Sequence, residues 1–338
     1  MRYLGLMHGR VLTIPVPGRC LEGNPLGDPA QREVYAYLPP GYESSARRYP
    51  TIWLLAGFGA THRSMLGFDP WKPNTVEAFD AQIAASEAAP AILILPDASN
   101  RWGGSQFLDS EATGRYQTYL AEEVLEIVDA NLRTIPERGG RAVIGRSSGG
   151  FGALRLGMDR PDLFSILGSH AGDAAFEISM RPMLTSAAIA FDRAGGVEAF
   201  AARLRSSGPG DGIDFDGAFI LAASAAYAPD RSERLPYAAL PFDPRSAELR
   251  PEVWGRWLEH DPLLRIEGAA DALRSMRLVF LDAGDRDEHG LQFAARRMFA
   301  AMQAQGVAVR HQEFPGGHRG TSMRYETSLP ILAGALDA

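Results

Sequence analysis

The clearest chemical signal in the sequence is Gly145-Arg146-Ser147-Ser148-Gly149-Gly150. It follows an apolar run, Arg141 to Ile144, and precedes a segment of helical character, Phe151 to Asp159. A G-x-S-x-G sequence between a buried strand and a helix makes a sharp turn. That turn forces the serine into strained backbone angles and leaves its hydroxyl exposed at the helix N-terminus. The alternatives are a glycine-rich turn that merely packs tightly, or a dinucleotide-binding fingerprint. The second fits poorly, because Gly150-Phe151-Gly152 lacks the third glycine and follows the turn instead of forming it. The context of strand, turn and helix marks Ser147 as a nucleophile.

A serine hydroxyl attacks poorly at neutral pH, so it needs a base and an acid to orient that base. In this architecture they follow the serine in the order acid, histidine. Of the seven histidines, His8, His62 and His170 lie outside the expected loops, His311 falls in a predicted strand, and His260 reads as a helix C-terminal residue. His318, in the glycine-rich stretch Phe314-Pro-Gly-Gly-His318-Arg-Gly, is placed to hang over the serine. For the acid, the predicted strand Leu278 to Leu281 runs into Asp282, Asp285, Asp287 and Glu288. Asp287 projects furthest along the loop and is favoured, with Asp285 next; Glu288 and His289 read as solvated neighbours. The residue after the nucleophile conventionally supplies one backbone donor for the oxyanion, here the Ser148 N–H.

Composition narrows the alternatives. Of the 34 basic residues, 33 are Arg and one is Lys72. Schiff-base, pyridoxal-phosphate and P-loop chemistry each require a lysine at a defined place, and Trp71-Lys72-Pro73 offers no such context. Cys20 is the only cysteine, which excludes an internal disulfide, a C-x-x-C pair and a zinc ribbon. The histidines are scattered and no H-E-x-x-H occurs, so no metal site and no cofactor are expected. A net charge of −7 argues against nucleic acid as partner. The stretch Met1 to Val11 lacks a signal-peptide core and no run is long enough to span a membrane. A cytoplasmic location is therefore expected; whether the chain forms a homo-oligomer is open.

The elements that must position these residues read as one α/β unit. Apolar runs at Thr51 to Ala56, Ala89 to Leu95 and Arg141 to Ile144 are bounded by Gly or Pro, as expected of strands buried on both faces of a mostly parallel sheet. Arg32 to Leu38 alternates like an outer strand. Helices are predicted over Asn74 to Ala88 and Gly114 to Leu132, the latter with Glu122, Glu123, Glu126 and Asp129 mostly on its wet side. The pattern returns with a strand at Leu278 to Leu281, a helix at Gly290 to Gln305, a strand at Val307 to Phe314 and a helix at Ser322 to Leu336. Between Gly172 and Ala270 the regularity lapses, apart from a helical run at Ala218 to Tyr227. Residues 172–270 are read as a cap inserted into a core formed by residues 1–171 and 271–338.

Taken together, Val34 to Tyr42, Tyr49 to Gly59, Gly145 to Leu154, Gly284-Asp-Arg-Asp287-Glu and Phe314-Pro-Gly-Gly-His318 resemble the putative-esterase group of α/β-hydrolases. That group includes S-formylglutathione hydrolases, feruloyl and enterochelin esterases and antigen 85-like proteins. The resemblance implies an α/β-hydrolase fold and a Ser147–His318–Asp287 triad, its G-x-x-D aspartate raising Asp287 above Asp285. It also implies a second oxyanion donor at the Phe58 N–H, and a loop, Arg101 to Ser110, that borders the cleft. The chain departs from the group's pattern at Ala56, Ala60, Arg146 and Ser148. The expected activity is a serine carboxylesterase acting on small, short-chain or aryl esters. The alternatives are a thioesterase or acyltransferase using the same triad, and a catalytically silent binding module. Candidate substrate contacts are Arg146, Trp102, Tyr227, Trp254 and Trp257, with Arg231, Arg234, Arg245, Arg250 and Arg256 able to hold an acidic group.

Overall fold

The computed structural model describes residues 7–232 and 236–337. Eight strands form one sheet in the order β1-β2-β4-β3-β7-β8-β9-β10. They are β1 (Arg10–Val16), β2 (Arg32–Leu38), β3 (Thr51–Leu55), β4 (Ile92–Pro96), β7 (Arg141–Arg146), β8 (Ile166–His170), β9 (Leu278–Gly284) and β10 (Val309–Phe314); β5 (Asp109–Ser110) and β6 (Gly114–Arg115) make a separate two-residue ladder. The pairs β1/β2 and β2/β4 are antiparallel, and every pair from β4 to β10 is parallel. Alternate side chains of the inner strands feed opposite layers. Ile52 and Leu54 pack with helices Thr75–Ala84 and Tyr325–Ala335, whereas Trp53 and Leu55 face helices Ser148–Asp159 and Leu291–Ala304. This two-sided burial is why the inner strands read as continuous apolar runs.

Two strands carry no such signal. In β8, Gly168 and Ser169 dilute the apolar run because the sheet needs small residues there. A Cβ on Gly168 would lie 2.5 Å from Ile144, and one on Gly150 would lie 2.7 Å from the Ser169 hydroxyl. β1 is an edge strand containing Pro15 and half-exposed along much of its length, which hides its alternation.

The predicted helix over 114–132 occupies 116–131, but six residues, Tyr119–Val124, are wound as a π-helix. The wider turn brings Glu123 inward, against the sequence expectation. Its buried carboxylate accepts the Gly18, Arg19 and Cys20 N–H groups at 2.9, 3.0 and 3.2 Å.

Between β8 and β9 the chain is largely helical: Met183–Arg193, Val197–Ser207, Gly212–Tyr227 and Pro251–Leu258 enclose an apolar cluster of their own. Helix Gly212–Tyr227 contains the helical run expected at Ala218 to Tyr227; it is buried on almost every side, so it lacks the polar face of a surface helix. The short helices Pro262–Arg265 and Ala270–Arg274 return to helix Ser148–Asp159, and Ile266 and Leu273 join the core beneath the sheet.

Beneath the sheet's C-terminal edge lies a buried polar network. His170, the last residue of β8, meets Asp282 through Nδ1 at 2.5 Å and Ser328 through Nε2 at 2.9 Å. The other Asp282 oxygen accepts Arg324 Nε at 2.9 Å. This Ser, His and Asp are almost fully inaccessible, so they tie β8, β9 and the last helix together and have no reach to solvent. Asp282→Ala should strand the Arg324 charge and cost about 3–5 kcal/mol of stability, measured by urea unfolding. A loss below 1 kcal/mol would show that water replaces the carboxylate.

Candidate active site

Ser147 stands immediately after β7, at the middle of the sheet, with φ 56° and ψ −124°. Its backbone is held on both sides. The Ser147 N–H donates to the His170 carbonyl at 2.9 Å, and the Ser147 carbonyl accepts the Phe151 N–H at 2.9 Å. The turn closes only without side chains at its base: a Cβ on Gly145 would sit 2.3 Å from the Gly149 backbone, and one on Gly149 would sit 2.1 Å from the Leu55 carbonyl oxygen. The glycines of the motif are therefore packing requirements, and the exposed hydroxyl follows from them.

His318 lies in the loop after β10. Its Nε2 is 3.1 Å from Ser147 Oγ, and its Nδ1 is 2.8 Å from Asp287 Oδ2. Asp287 is buried, and its other oxygen accepts the N–H groups of His289 and Leu291 at 2.9 and 3.4 Å. Burial alone would raise the Asp287 pKa. The hydrogen bond and charge of His318, with those two N–H groups, outweigh it and hold the carboxyl below its ordinary value. Asp285 points elsewhere: it is exposed, accepts the Gly316 N–H at 3.0 Å and pairs with Arg286.

Glu288 and His289, read from sequence as solvated neighbours, are part of the arrangement. Glu288 accepts the His318 backbone N–H at 2.6 Å. Its carboxyl would lie 2.6 Å from any Cβ on Gly317, so a side chain there would displace it from the His318 N–H. The His289 ring meets the His318 ring edge-on at 4.9 Å, and burial followed by the His318 charge lowers its pKa.

These groups open into a cavity of about 680 Å³. Its apolar wall comes from Phe58, Met180, Met183, Ile213, Phe215 and Phe219. The Phe58 ring packs edge-on against Phe215 and Phe219 at 5.4 and 5.3 Å, which links the β3 loop to helix Gly212–Tyr227. Phe58 and Ser148 also share the walls of a small cavity of about 20 Å³. A Cβ on Gly57 would lie 3.6 Å from that of Ser147, so the backbone that leads into Phe58 runs beside the serine. A further cavity of about 510 Å³ shares Gly57, Arg146 and Gly320 with the first and extends past Lys72.

The sequence-proposed substrate contacts separate into two groups. Arg146 lines both large cavities and donates to Thr321 at 3.3 Å. Trp102, Tyr227, Trp254 and Trp257 do not line them; all four are buried in the apolar cluster between β8 and β9. Tyr227, for example, stacks on Phe176 and meets Trp257 edge-on. Large aromatics supply the most apolar area to bury, and here that cluster claims them, Trp102 reaching it from the loop after β4. The arginines of this region also turn away: Arg250 pairs with Asp243, Arg256 donates to the Pro229 carbonyl, and Arg231 and Arg245 are exposed away from the cavity lining. Arg234 lies outside the described residues.

Sequence reasoning missed Met180, Met183, Ile213, Phe215, Asp173 and Asp216, which also line the site. No motif marks them, because they come from a segment whose path is set by tertiary packing. Among the described residues no group of three or more His, Cys, Asp or Glu side chains could hold a metal ion, and no helix is long and apolar enough to cross a membrane.

A mostly parallel eight-stranded sheet with a strained serine between its central strand and the following helix defines an α/β-hydrolase. More narrowly, the chain belongs to the family described as Putative esterase, whose model matches residues 29–330. Two Mycobacterium tuberculosis proteins, Esterase Rv1288 (strain ATCC 25618 / H37Rv) and Esterase MT1326 (strain CDC 1551 / Oshkosh), are each 31% identical over 143 residues. The match covers 42% of this chain and 29% of each relative's length. Solved structures with the same fold include a ferulic acid esterase (TM-score 0.64, 19% identity, 98% of this chain and 100% of that one). An S-formylglutathione hydrolase from Staphylococcus aureus (0.58, 12%, 97% and 98%) and Mycobacterium tuberculosis MPT51 (0.56, 18%, 97% and 99%) are also similar.

Proposed function

We propose that this protein is a serine carboxylesterase that hydrolyses small carboxylic esters through an acyl-enzyme. The observation that carries the reading is the continuous chain Ser147 Oγ–His318 Nε2, His318 Nδ1–Asp287 Oδ2 at the floor of an apolar-walled cavity. Ser147 Oγ attacks the ester carbonyl carbon while His318 Nε2 takes its proton. Asp287 holds the ring in the tautomer that leaves Nε2 free to accept and steadies the imidazolium. The N–H groups of Phe58 and Ser148 receive the oxyanion. Collapse breaks the ester C–O bond, and the departing alcohol takes the proton from Nε2. Water then repeats the sequence on the acyl-serine and releases the acid.

The helices of residues 176–258 serve as a cap over this site, and the wall formed by Met180, Met183, Phe215 and Phe219 suits the acyl group. The second cavity, beyond Arg146, offers room for the alcohol part. Aryl acetates should be turned over, and a fluorophosphonate should stop turnover by labelling Ser147; an unlabelled, inactive protein would sink the reading. Thioesters and competing alcohol acceptors in the same assay read out thioesterase and acyl-transfer chemistry.

Chain-length preference should depend on Phe219, which closes the apolar wall. Phe219→Ala should raise kcat/KM for an octanoyl aryl ester relative to the acetyl ester by about tenfold, the gain from admitting about two further methylenes to an apolar site at roughly 0.8 kcal/mol each. An unchanged ratio would place the acyl group elsewhere.

A further inference from the structure

A second carboxyl, which the triad does not use, lies against the serine. Asp173 follows β8, is 5% exposed and forms part of the cavity wall. Its backbone N–H donates to the Ser147 carbonyl at 3.4 Å, and its Oδ2 accepts the hydroxyl of Ser148 at 3.0 Å. Ser148, 2% exposed, is the residue whose N–H is assigned to the oxyanion. Its side chain therefore has one buried partner, and that partner is an acid facing the cavity. We propose that Asp173 and Ser148 are a positioning pair: the carboxylate fixes the Ser148 peptide through its hydroxyl and puts a second carboxyl in the wall of the cavity that His318 also lines. The inference rests on the serine-esterase reading.

The electrostatic surroundings support the second half of this role. Burial raises the Asp173 pKa to about 6, with the His318 charge and the Ser148 hydroxyl opposing that rise and Asp287 adding to it. Tyr227, on helix Gly212–Tyr227, is pushed up well above its ordinary value by burial and then by the charge of Asp173. On the other side, His318 meets Asp287, Glu288 and His289. Above about pH 6 the cavity that holds the imidazolium formed during turnover thus carries two carboxylates, Asp287 bonded to its Nδ1 and Asp173 in the same wall. Below that pH Asp173 takes up a proton and its charge is lost.

Two substitutions separate the tether from the charge. Asp173→Asn keeps an acceptor for the Ser148 hydroxyl and removes the charge. With less to stabilise the imidazolium, the acid limb of the kcat/KM–pH profile should move down by about one pH unit. Ser148→Ala keeps the charge and removes the tether. It should lower kcat about tenfold with KM unchanged and the acid limb in place, less than the 10²–10³ lost when an oxyanion donor is removed outright. Ser148→Thr, which restores the hydroxyl, should recover kcat.

An acid limb unmoved in Asp173→Asn, or an unchanged kcat in Ser148→Ala, overturns the pair. If Asp173→Asn does not fold, the Ser148→Ala and Ser148→Thr comparison decides alone. Wild-type turnover that is abolished in Ser147→Ala establishes the underlying reading first, so failure of the pair and failure of the esterase assignment are distinguishable.

Discussion

Ser147→Ala should lower kcat on an aryl acetate by about 10⁵–10⁶-fold while leaving the fold and KM nearly unchanged. The arrangement around the serine acts as a unit. With the hydroxyl gone, His318 has nothing to deprotonate, and only the oxyanion donors and the cavity remain; such sites retain roughly 10³-fold over water. The substitution is also cheap structurally. Alanine fits the space, the backbone bonds to His170 and Phe151 persist, and the positive φ costs about 1–3 kcal/mol with either side chain. Stopped-time assays beside a urea titration test both halves. Activity within tenfold of wild type would remove Ser147 from the chemistry, and an unfolded protein would be visible as a lost transition.

Asp287→Asn should cost about 10⁴-fold in kcat, and Asp285→Asn less than twofold. The carboxylate at 287 fixes the ring because Oδ2 accepts from His318 Nδ1 while Oδ1 is pinned by the His289 and Leu291 N–H groups. An amide keeps the shape but can present its NH₂ to Nδ1. That favours the tautomer with the proton on Nε2, which can no longer accept from Ser147. Asp285 holds only the Gly316 N–H and the exposed Arg286, contacts that water can replace. A reversed order of effects would move the orienting acid to position 285.

The elbow could be read because its requirement is local: no side chain fits at positions 145 and 149, so glycine stands there and shows in the sequence. The glycine-rich stretch before His318 is legible for the same reason. The inner strands announced themselves through two-sided burial. β8 did not, because Gly168 and Ser169 answer to Ile144 and Gly150 across the structure. Its place along the loop favoured Asp287 over Asp285 and the family resemblance strengthened that order, but spacing along a loop does not by itself determine which carboxylate turns inward.

Most of the cavity wall beyond Phe58 and Arg146 was not legible. Trp254 and Trp257 looked like ligand contacts because large aromatics in an irregular segment have no assigned partner until the chain is folded; four helices then buried them against one another. Met183 and Phe215, ordinary in sequence, face the serine instead.

The sequence by itself determined the α/β architecture and the family, and it singled out Ser147 and His318, which the fold brings to 3.1 Å, because each rests on short-range spacing or on period-specific burial. Tertiary structure decided which residues line the cavity, that Glu123 turns inward on a π turn, and that Asp173 stands beside Ser148. Those facts depend on contacts between segments far apart in the chain, where the pairing energy belongs to neither segment alone and leaves no pattern in either.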